Sequence, residues 1–170
     1  MWGGCIPATK SLMAKALAKD GANVCVMSGG IAELFLSSRN REQLYLLKRR
    51  GFVRLAIDSN AELVPLYIFG QTNMFDQLAT SGGYMMQVSR YLSASLTYFW
   101  GQLFLPIPFS TAVTTVIGTP IPVVVPADDS DEAMSRAVDK MHGQFVDAIK
   151  ELYRVHAADC GYADKPLEIL

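Results

Sequence analysis

The clearest alternation of hydrophobic and polar positions lies near the C-terminus, between Ala127 and His156. Apolar residues recur there every three or four positions, which predicts an amphipathic helix with one buried face. The predicted buried stripe consists of Met134, Val138, Met141, Phe145, Ile149 and Leu152. Asp129 and Glu132 are three residues apart at its start, which is the spacing of a capping box.

Before this helix, shorter hydrophobic patterns predict helices and strands in alternation. A helix is predicted from a Thr9 cap to Gly21 at its end, another from about Gly51, and a short one over 74–80 with Asn73 as cap. Apolar runs predict strands at 23–27, 45–48, 63–69, 112–118 and 120–125.

The run at 63–69 is apolar on both faces, which is typical of a parallel sheet covered on both sides. Pro65 within it indicates an edge or bulged position, because proline cannot donate a ladder hydrogen bond. Alternating helices and strands predict an α/β fold, and 170 residues fit a single domain over 1–170.

Charge is distributed unevenly although the formal net charge is only −1. Six basic residues and one acid, Glu42, lie between Arg39 and Arg54, whereas five acids and one base lie between Asp128 and Asp139. This near-neutral balance does not indicate nucleic acid as a partner.

No charged residue or histidine occurs from Tyr91 to Ala127. Within and before that stretch, residues 84–109 are rich in aromatic side chains, Met and Leu. Such a segment could line an acyl-chain tunnel or lie in a membrane interface, and the alternative is a long insertion into the core. Apolar runs stay below 18 residues, so we expect no conventional membrane-spanning helix, and the first ten residues show no signal-peptide pattern.

The three cysteines, Cys5, Cys25 and Cys160, are widely spaced, so neither a disulfide framework nor a metal site is expected. They are consistent with a reducing compartment. Cys25 falls in the predicted strand at 23–27, and its simplest role is that of a small core residue. His142 and His156 are expected to be a packed and a helix-end histidine.

The segment "SGGIAELF", residues 28–35, places Glu33 after a glycine pair that follows an apolar run. Sites gather at strand ends in α/β sheets, and a carboxylate there could orient a histidine or take part in proton transfer. Alternatively, Glu33 is a first-turn glutamate favoured by the helix dipole. Lys48, Arg49 and Arg50 could hold a phosphate-bearing ligand or an anionic lipid surface, or form a solvated turn.

Four segments occur in a recognisable order: GGIAE (29–33), RRGFVRLAIDSNAELVPLYIFGQTNMF (49–75), LPIPF followed by TTVIGTPIPV (105–123), and DKMHGQFVDAIKELYRVHAADCGY (139–162). Together they resemble the diacylglycerol acyltransferase type 2 family, which includes monoacylglycerol and wax-ester acyltransferases. The resemblance implies a glycerolipid-acyltransferase-like mixed sheet flanked by helices. It also implies transfer of a fatty acyl group from acyl-CoA to diacylglycerol, giving triacylglycerol.

The resemblance further implies site residues, partners and a location. Glu33 matches the acid proposed to assist a catalytic histidine. The expected substrate-binding residues are Gly29, Gly30, Arg50, Gly51, Phe52, Pro65 and Gly70. Acyl-CoA is expected as co-substrate, with no cofactor and no metal. The expected partners are acyl-CoA, glycerides, a membrane surface and full-length relatives in homo- or hetero-oligomers. The expected location is the cytoplasmic face of the endoplasmic reticulum membrane and the lipid droplet surface.

The sequence departs from the family in its first part. It contains no HPHG motif, whose histidine is the family's proposed base, and no N-terminal hydrophobic membrane segment. Gln71 and Gln102 stand where Glu and Arg are common. We therefore expect a fold incomplete at the N-terminus and little or no acyl transfer by this chain alone, because a glyceride hydroxyl needs a base to attack a thioester. The alternatives are a non-catalytic lipid- or acyl-CoA-binding or regulatory fragment, and an interaction module that pairs with a full-length relative.

Overall fold

The computed structural model describes residues 5–19, 21–29, 41–77, 99–128 and 130–170. Within these ranges the helices are α1 (Lys10–Leu17), α2 (Gly51–Asp58) and α3 (Asp131–His156). The strands are β1 (Glu42–Leu44), β2 (Leu66–Phe69), β3 (Asp76–Gln77), β4 (Phe99–Trp100), β5 (Thr114–Ile117) and β6 (Leu167–Ile169). This mixture of helices and strands confirms the predicted α/β class.

Helix α3 is the longest element, with 26 residues. It begins after Ser130, whose side-chain oxygen accepts a hydrogen bond from the Ala133 amide at 3.3 Å. Acidic residues in its first turn and basic residues in its last turn complement the helix dipole. The predicted cap at Asp129 is wrong, because the Ser130 hydroxyl occupies the N-cap position, and Asp129 itself lies outside the described residues.

The apolar face of α3 packs against two different parts of the fold. Near its N-terminal half, Val138 and Met141 pack against Val53 and Ile57 of α2. Near its C-terminal half, the helix contributes to a second cluster that consists of Tyr67, Phe69, Ile149, Tyr153, Ala157 and Tyr162. The predicted stripe is therefore confirmed as the inner face of α3, and the helix packs against both α2 and the sheet formed by β2 and β5.

Strands β2 and β5 pair antiparallel, with Leu66 opposite Ile117 and Phe69 opposite Thr114. The predicted parallel arrangement at 63–69 is therefore wrong. In β2, Tyr67 and Phe69 are buried against α3 while Leu66 is exposed, and this alternation is typical of an antiparallel sheet covered on one face.

Pro65 is fully buried at an interruption of this antiparallel ladder, as predicted. It lies between β2 and an isolated bridge that joins Leu63 to Ile121. Its carbonyl accepts a hydrogen bond from the Gly118 amide at 2.8 Å. In the predicted strand at 120–125, Ile121 is the position that takes part in pairing.

The other strands form two small pairs. Strand β1 pairs parallel with β6, and β3 pairs antiparallel with β4. The C-terminal strand β6 was not predicted, and the strand predicted at 45–48 is a turn. The amides of Leu46 and Leu47 in that turn both donate to the carbonyl of Leu170, so the C-terminus holds this turn in place.

Two further predictions are wrong. Residues 23–27 form no strand, and Cys25 is exposed rather than in the core, because no strand in the described ranges lies beside this apolar run to pair with it. The helix predicted at 74–80 is replaced by a 3-10 turn over Gln71–Asn73 and by β3, while residues 78–80 lie outside the described ranges.

Helix α1 follows its predicted position, but its apolar face is not buried. Its Lys10 ammonium lies 2.7 Å from the Asp58 carboxylate at the end of α2. Across the described part of the chain, none of the helices is both long enough and apolar enough to cross a bilayer. Of the predicted apolar segment 84–109, residues 84–98 lie outside the described ranges.

Two glycines of the predicted site differ in what they require of the backbone. Gly70 has φ +92°, and a Cβ there would lie 2.1 Å from the carbonyl oxygen of Ala112, whereas a Cβ at Gly51 would meet nothing within 4 Å. We expect Gly70→Ala to lower the free energy of unfolding by about 2–5 kcal/mol, from strain and overlap. Gly51→Ala should change it by less than about 1 kcal/mol. Urea unfolding midpoints of the two variants test this, and equal midpoints would contradict it.

Candidate active site

The first glycine of the predicted site lies beside the basic segment. The guanidinium Nη2 of Arg49 donates to the carbonyl oxygen of Gly29 at 3.4 Å, and the same guanidinium lies 5.2 Å from the centre of the Tyr45 ring. Gly30 and Glu33 lie outside the described residues, so the role of Glu33 stays a prediction. The structure therefore brings Gly29 and the segment before α2 together, although they are 20 positions apart along the chain.

Arg50 faces α3 rather than either of the grooves described below. Its guanidinium forms an ion pair with the carboxylate of Asp139, and both side chains are about half exposed. Surface ion pairs of this kind contribute about 0–1 kcal/mol. Gly51, the first residue of α2, is exposed. A substrate that took Arg50 as its phosphate contact would have to compete with Asp139.

Phe52 belongs to the packing between α2 and α3. Its ring meets the Phe145 ring edge-on, with centroids 5.1 Å apart, and lies 6.4 Å from the imidazole of His142. His142 is buried, and its Nε2 lies 3.1 Å from the carbonyl oxygen of Leu46. The predictions of a packed His142 and of a helix-end His156 are confirmed, since His156 is the last residue of α3.

A groove of about 400 Å³ lies between the β2–β5 sheet and α3. One wall consists of Pro65 and residues 118–122, and the other consists of side chains of α3 between Gln144 and His156. We call it the Pro65 groove. Its lining is mainly apolar, and its volume falls within the usual range of small-molecule sites.

Two segments that carry the resemblance meet at the Pro65 groove. Pro65 comes from "LVPLYIFG", and Gly118 comes from "TTVIGTPIPV". The Gly118 amide donates to the Pro65 carbonyl, and a Cβ at Gly118 would lie 2.9 Å from the Pro65 ring and 3.2 Å from a Leu152 methyl group. The wall therefore requires glycine at 118, because no larger side chain fits between the proline and the helix.

A second groove, of about 520 Å³, lies between the end of α3 and residues 162–167. Lys150, Arg154 and Lys165 are among its lining residues. Two of these three cations are engaged within the protein: Arg154 binds Glu151 through two nitrogens, and the Lys165 ammonium lies 4.6 Å from the Tyr162 ring centre. We call it the C-terminal groove.

A buried polar network surrounds the turn that contains Gly70, and sequence reasoning missed it. Glu42 is 4% exposed, and its two carboxylate oxygens accept hydrogen bonds from the hydroxyls of Tyr67 and Thr72, each at 2.8 Å. In the sequence, Glu42 is the only acid between Arg39 and Arg54, and this was the one sign of a special role. The same pattern is also typical of a solvent-exposed charged surface. Glu42 therefore anchors β1 to β2 and to the turn after it.

Tyr162 holds the same turn from the C-terminal side. Its hydroxyl oxygen accepts hydrogen bonds from the Gly70 amide at 2.9 Å and from Nδ2 of Asn73 at 3.0 Å. Gly70 thus has a structural role that follows from its positive φ and from its contact with Tyr162. Its predicted role in substrate binding stays a prediction, as do those of Gly29, Gly30, Arg50, Gly51, Phe52 and Pro65.

Burial raises the pKa of the Tyr67 hydroxyl well above its ordinary value, and the charge of Glu42 raises it further. Burial, followed by the charge of Glu42 and by Tyr162, raises the pKa of Tyr153 to about 12. The Tyr153 hydroxyl donates to the carbonyl of Lys165 at 2.6 Å. Both hydroxyls are therefore protonated at neutral pH and act as donors.

The network is suited to positioning rather than to proton transfer with a substrate. Both oxygens of Glu42 are occupied by hydroxyl donors, and Glu42 lines neither of the two grooves. Within the described ranges, no cluster of three or more His, Cys, Asp or Glu side chains could hold a metal ion.

A family model described as diacylglycerol acyltransferase matches residues 1–169. Among similar proteins, human acyl-CoA wax alcohol acyltransferase 2 is 31% identical over 161 residues, covering 88% of this chain and 47% of that protein. Human 2-acylglycerol O-acyltransferase 3 is 34% identical over 152 residues, covering 83% and 43%. Zebrafish (Danio rerio) diacylglycerol O-acyltransferase 2 is 31% identical over 166 residues, covering 90% and 45%. The chain spans about half the length of these relatives, and no solved structure matches it.

The Glu42 network predicts a large effect of removing the carboxylate. Glu42→Leu leaves the Tyr67 and Thr72 hydroxyls without their acceptor, so we expect the free energy of unfolding to fall by about 2–4 kcal/mol. Adding Tyr67→Phe and Thr72→Val to Glu42→Leu should restore part of this loss, because apolar partners need no acceptor. Urea unfolding of the single and triple variants measures the difference. A triple variant that is less stable than Glu42→Leu would contradict the network.

The raised pKa values predict a loss of stability in alkali. The pKa of Tyr153 is about 12 in the folded chain, against about 10 for an exposed tyrosine, so the folded state keeps a proton that the unfolded state releases. This contribution is complete below about pH 10 and is lost as the pH rises towards 12. Urea midpoints at about pH 8, 10 and 11 should fall less steeply in Tyr153→Phe than in the wild type or in the control Tyr45→Phe. Identical slopes in all three would contradict the prediction.

Proposed function

Because the chain belongs to the diacylglycerol acyltransferase family, we propose that it serves neutral-lipid synthesis as part of an acyl-CoA-dependent O-acyltransferase that converts diacylglycerol to triacylglycerol. The reaction joins the fatty acyl group of acyl-CoA to the free glyceride hydroxyl. The hydroxyl proton passes to a base, and the thiolate of coenzyme A leaves. Acyl-CoA is a co-substrate in this scheme, and the proposal includes no other cofactor and no metal.

The observation that carries the proposal is the convergence of two family segments on one apolar groove. Pro65 and Gly118 form a single wall of the Pro65 groove, and α3 supplies the opposite wall. An apolar groove between a sheet and a helix suits a hydrocarbon chain, because burying methylene groups there removes them from water. We assign the Pro65 groove to the acyl chain.

Diacylglycerol is the proposed acceptor, and the names of the relatives define the alternatives. One is named for wax alcohol, one for 2-acylglycerol and one for diacylglycerol. These acceptors share a hydroxyl attached to an apolar body and differ in the number of acyl chains. An assay with all three therefore distinguishes the proposed acceptor from a monoacylglycerol or a fatty alcohol.

The location follows from the substrates in the proposal. Glycerides partition into lipid, so the enzyme must work at a lipid surface, and we propose the cytoplasmic face of the endoplasmic reticulum membrane and of lipid droplets. We also propose association with full-length relatives, as a homo- or hetero-oligomer.

In this scheme Glu33 orients a catalytic histidine. The given sequence contains no histidine before the glycine pair. The chain has two histidines, and His142 is buried with its Nε2 at the Leu46 carbonyl. Without a positioned base, attack by a hydroxyl on a thioester loses orders of magnitude in rate. The 170-residue chain by itself is therefore expected to bind acyl-CoA with little or no turnover.

A second candidate function is a non-catalytic acyl-CoA- or lipid-binding fragment that regulates a full-length relative. It is favoured by the same two features, an apolar groove and the lack of a histidine before Gly29. Addition of the chain to an active relative distinguishes the two: a change in the relative's acyl transfer rate supports regulation.

The role of the Pro65 groove can be tested by making the same alanine-to-phenylalanine substitution in each of the two grooves. Ala148 lines the Pro65 groove and Ala158 lines the C-terminal groove. Ala148→Phe should weaken binding of oleoyl-CoA about tenfold or more and leave binding of free coenzyme A unchanged, because the added ring fills the space of the acyl chain. Ala158→Phe is the matched control and should bind both ligands like the wild type.

Calorimetric titration measures these affinities, and a radiolabelled oleoyl transfer assay with the three acceptors measures turnover. Equal affinity of Ala148→Phe and Ala158→Phe for oleoyl-CoA would contradict the assignment of the groove. Absence of oleoyl-CoA binding by the wild-type chain would contradict the proposed function. Robust transfer by the purified chain would contradict its expected inactivity.

A further inference from the structure

Residues 102–107 form a protruding loop tip whose side chains are mainly apolar and exposed. Leu103 is 85% exposed and Phe104 is 77% exposed. Leu105 and Ile107 are exposed by nearly half. Soluble proteins do expose single apolar residues, but a contiguous group of four large ones on one loop marks a surface that contacts something else. We call this loop the 102–107 tip.

The exposed side chains of the tip are held in a defined backbone conformation. Leu103 has φ 56° and Phe104 has φ 60°, in the left-handed region that side chains with a Cβ disfavour. A Cβ at Gly101 would lie 1.8 Å from the carbonyl oxygen of Ile107, so the two ends of the tip are in close contact. Leu103 and Phe104 therefore have a strained backbone conformation and expose large apolar side chains.

Hydrogen bonds within the loop account for much of its backbone. The amides of Gly101, Gln102 and Leu105 donate to the carbonyls of Leu105, Ile107 and Gln102, respectively. The Gln102 side chain donates to the carbonyl of Pro108 at 2.9 Å. Pro106 and Pro108 have no amide hydrogen to satisfy. These hydrogen bonds join the two ends of the tip. Because an unpaired backbone group is costly in hydrocarbon, the apolar side chains would enter the lipid while the backbone of the tip stays at the level of the headgroups.

The charges around the tip favour lipid over protein as its partner. The tip lies within Tyr91–Ala127, which contains no charged residue and no histidine. At the base of the tip, Asp76 stands opposite Trp100 in the β3–β4 pair, so the charge of this pair lies at the base and residues 102–107 carry none.

We propose that the 102–107 tip inserts into one leaflet of a lipid bilayer and so anchors this face of the chain to the membrane surface. The inference rests on the membrane location in the proposed function and adds the element that makes the contact. Because its side chains are neutral, the tip binds membranes of zwitterionic lipid, and its contribution is insensitive to salt.

Sedimentation with phosphatidylcholine vesicles tests the tip directly. Asparagine tolerates a positive φ, so Leu103→Asn combined with Phe104→Asn removes the apolar side chains and keeps the backbone. We expect this double variant to bind vesicles about tenfold more weakly than the wild type or worse, at low and at high salt. The matched control is Val124→Ser combined with Val125→Ser, because Val124 is 73% exposed and Val125 is 54% exposed in the same uncharged stretch.

A single tryptophan reports the depth of insertion. Phe104→Trp in a chain that also carries Trp2→Phe and Trp100→Phe should be quenched by lipids brominated on their acyl chains. Val124→Trp in the same background should not be quenched. Circular dichroism and urea midpoints close to those of the wild type show that each variant is folded.

Each outcome decides the inference. Loss of binding in the double asparagine variant alone, together with quenching at position 104, supports it. Equal vesicle binding by the wild type and the double asparagine variant overturns the proposed insertion of the 102–107 tip but leaves the proposed membrane location. Absence of vesicle binding by the wild type overturns both. A change in the oligomeric state of the double asparagine variant without vesicles, with vesicle binding unchanged, assigns the tip to a second copy of the chain and overturns the inference. The oleoyl-CoA titrations are independent of all these results.

Discussion

The burial of the inner face of α3 is the interaction on which the rest of the described structure depends. The strands occur in pairs, and a two-stranded sheet is at best marginally stable by itself. Helix α3 supplies the missing apolar surface to both sides, since Val138 and Met141 cover α2 while Ile149 and Tyr153 cover β2. The helix therefore joins elements that have little direct contact with one another, and it also forms one wall of the Pro65 groove.

Around this apolar packing, a small polar network fixes the turn after β2. Glu42 approaches the turn from β1, and Tyr162 approaches it from the segment after α3. A buried carboxylate is costly unless its oxygens are hydrogen-bonded, and the hydroxyls of Tyr67 and Thr72 meet that need. Because the network joins β1 and β2 to a residue that follows α3 in the sequence, it defines one arrangement of β1, β2 and the C-terminal segment.

The candidate site depends on both features. The Pro65 groove exists because the Pro65 carbonyl and the Gly118 amide bring two strands together at an interruption of their ladder, beneath α3. Before α2, Arg49 donates to the carbonyl of Gly29 and so links that residue to the rest of the fold. These contacts bring residues from distant parts of the sequence into one structure.

Local periodicity and motif order were enough to predict the α/β class, helices α1, α2 and α3, strand β5 and the family. The pairing of the elements could not be predicted in this way: 63–69 pairs antiparallel, 23–27 stays unpaired among the described residues, and Arg50 forms an ion pair with Asp139. The tertiary structure also placed Glu42 in the interior, although its basic neighbours suggested a charged surface. The reason is physical: periodicity reports which face of an element is apolar, whereas pairing, burial of a single carboxylate and the shape of a groove depend on residues that are distant in the chain.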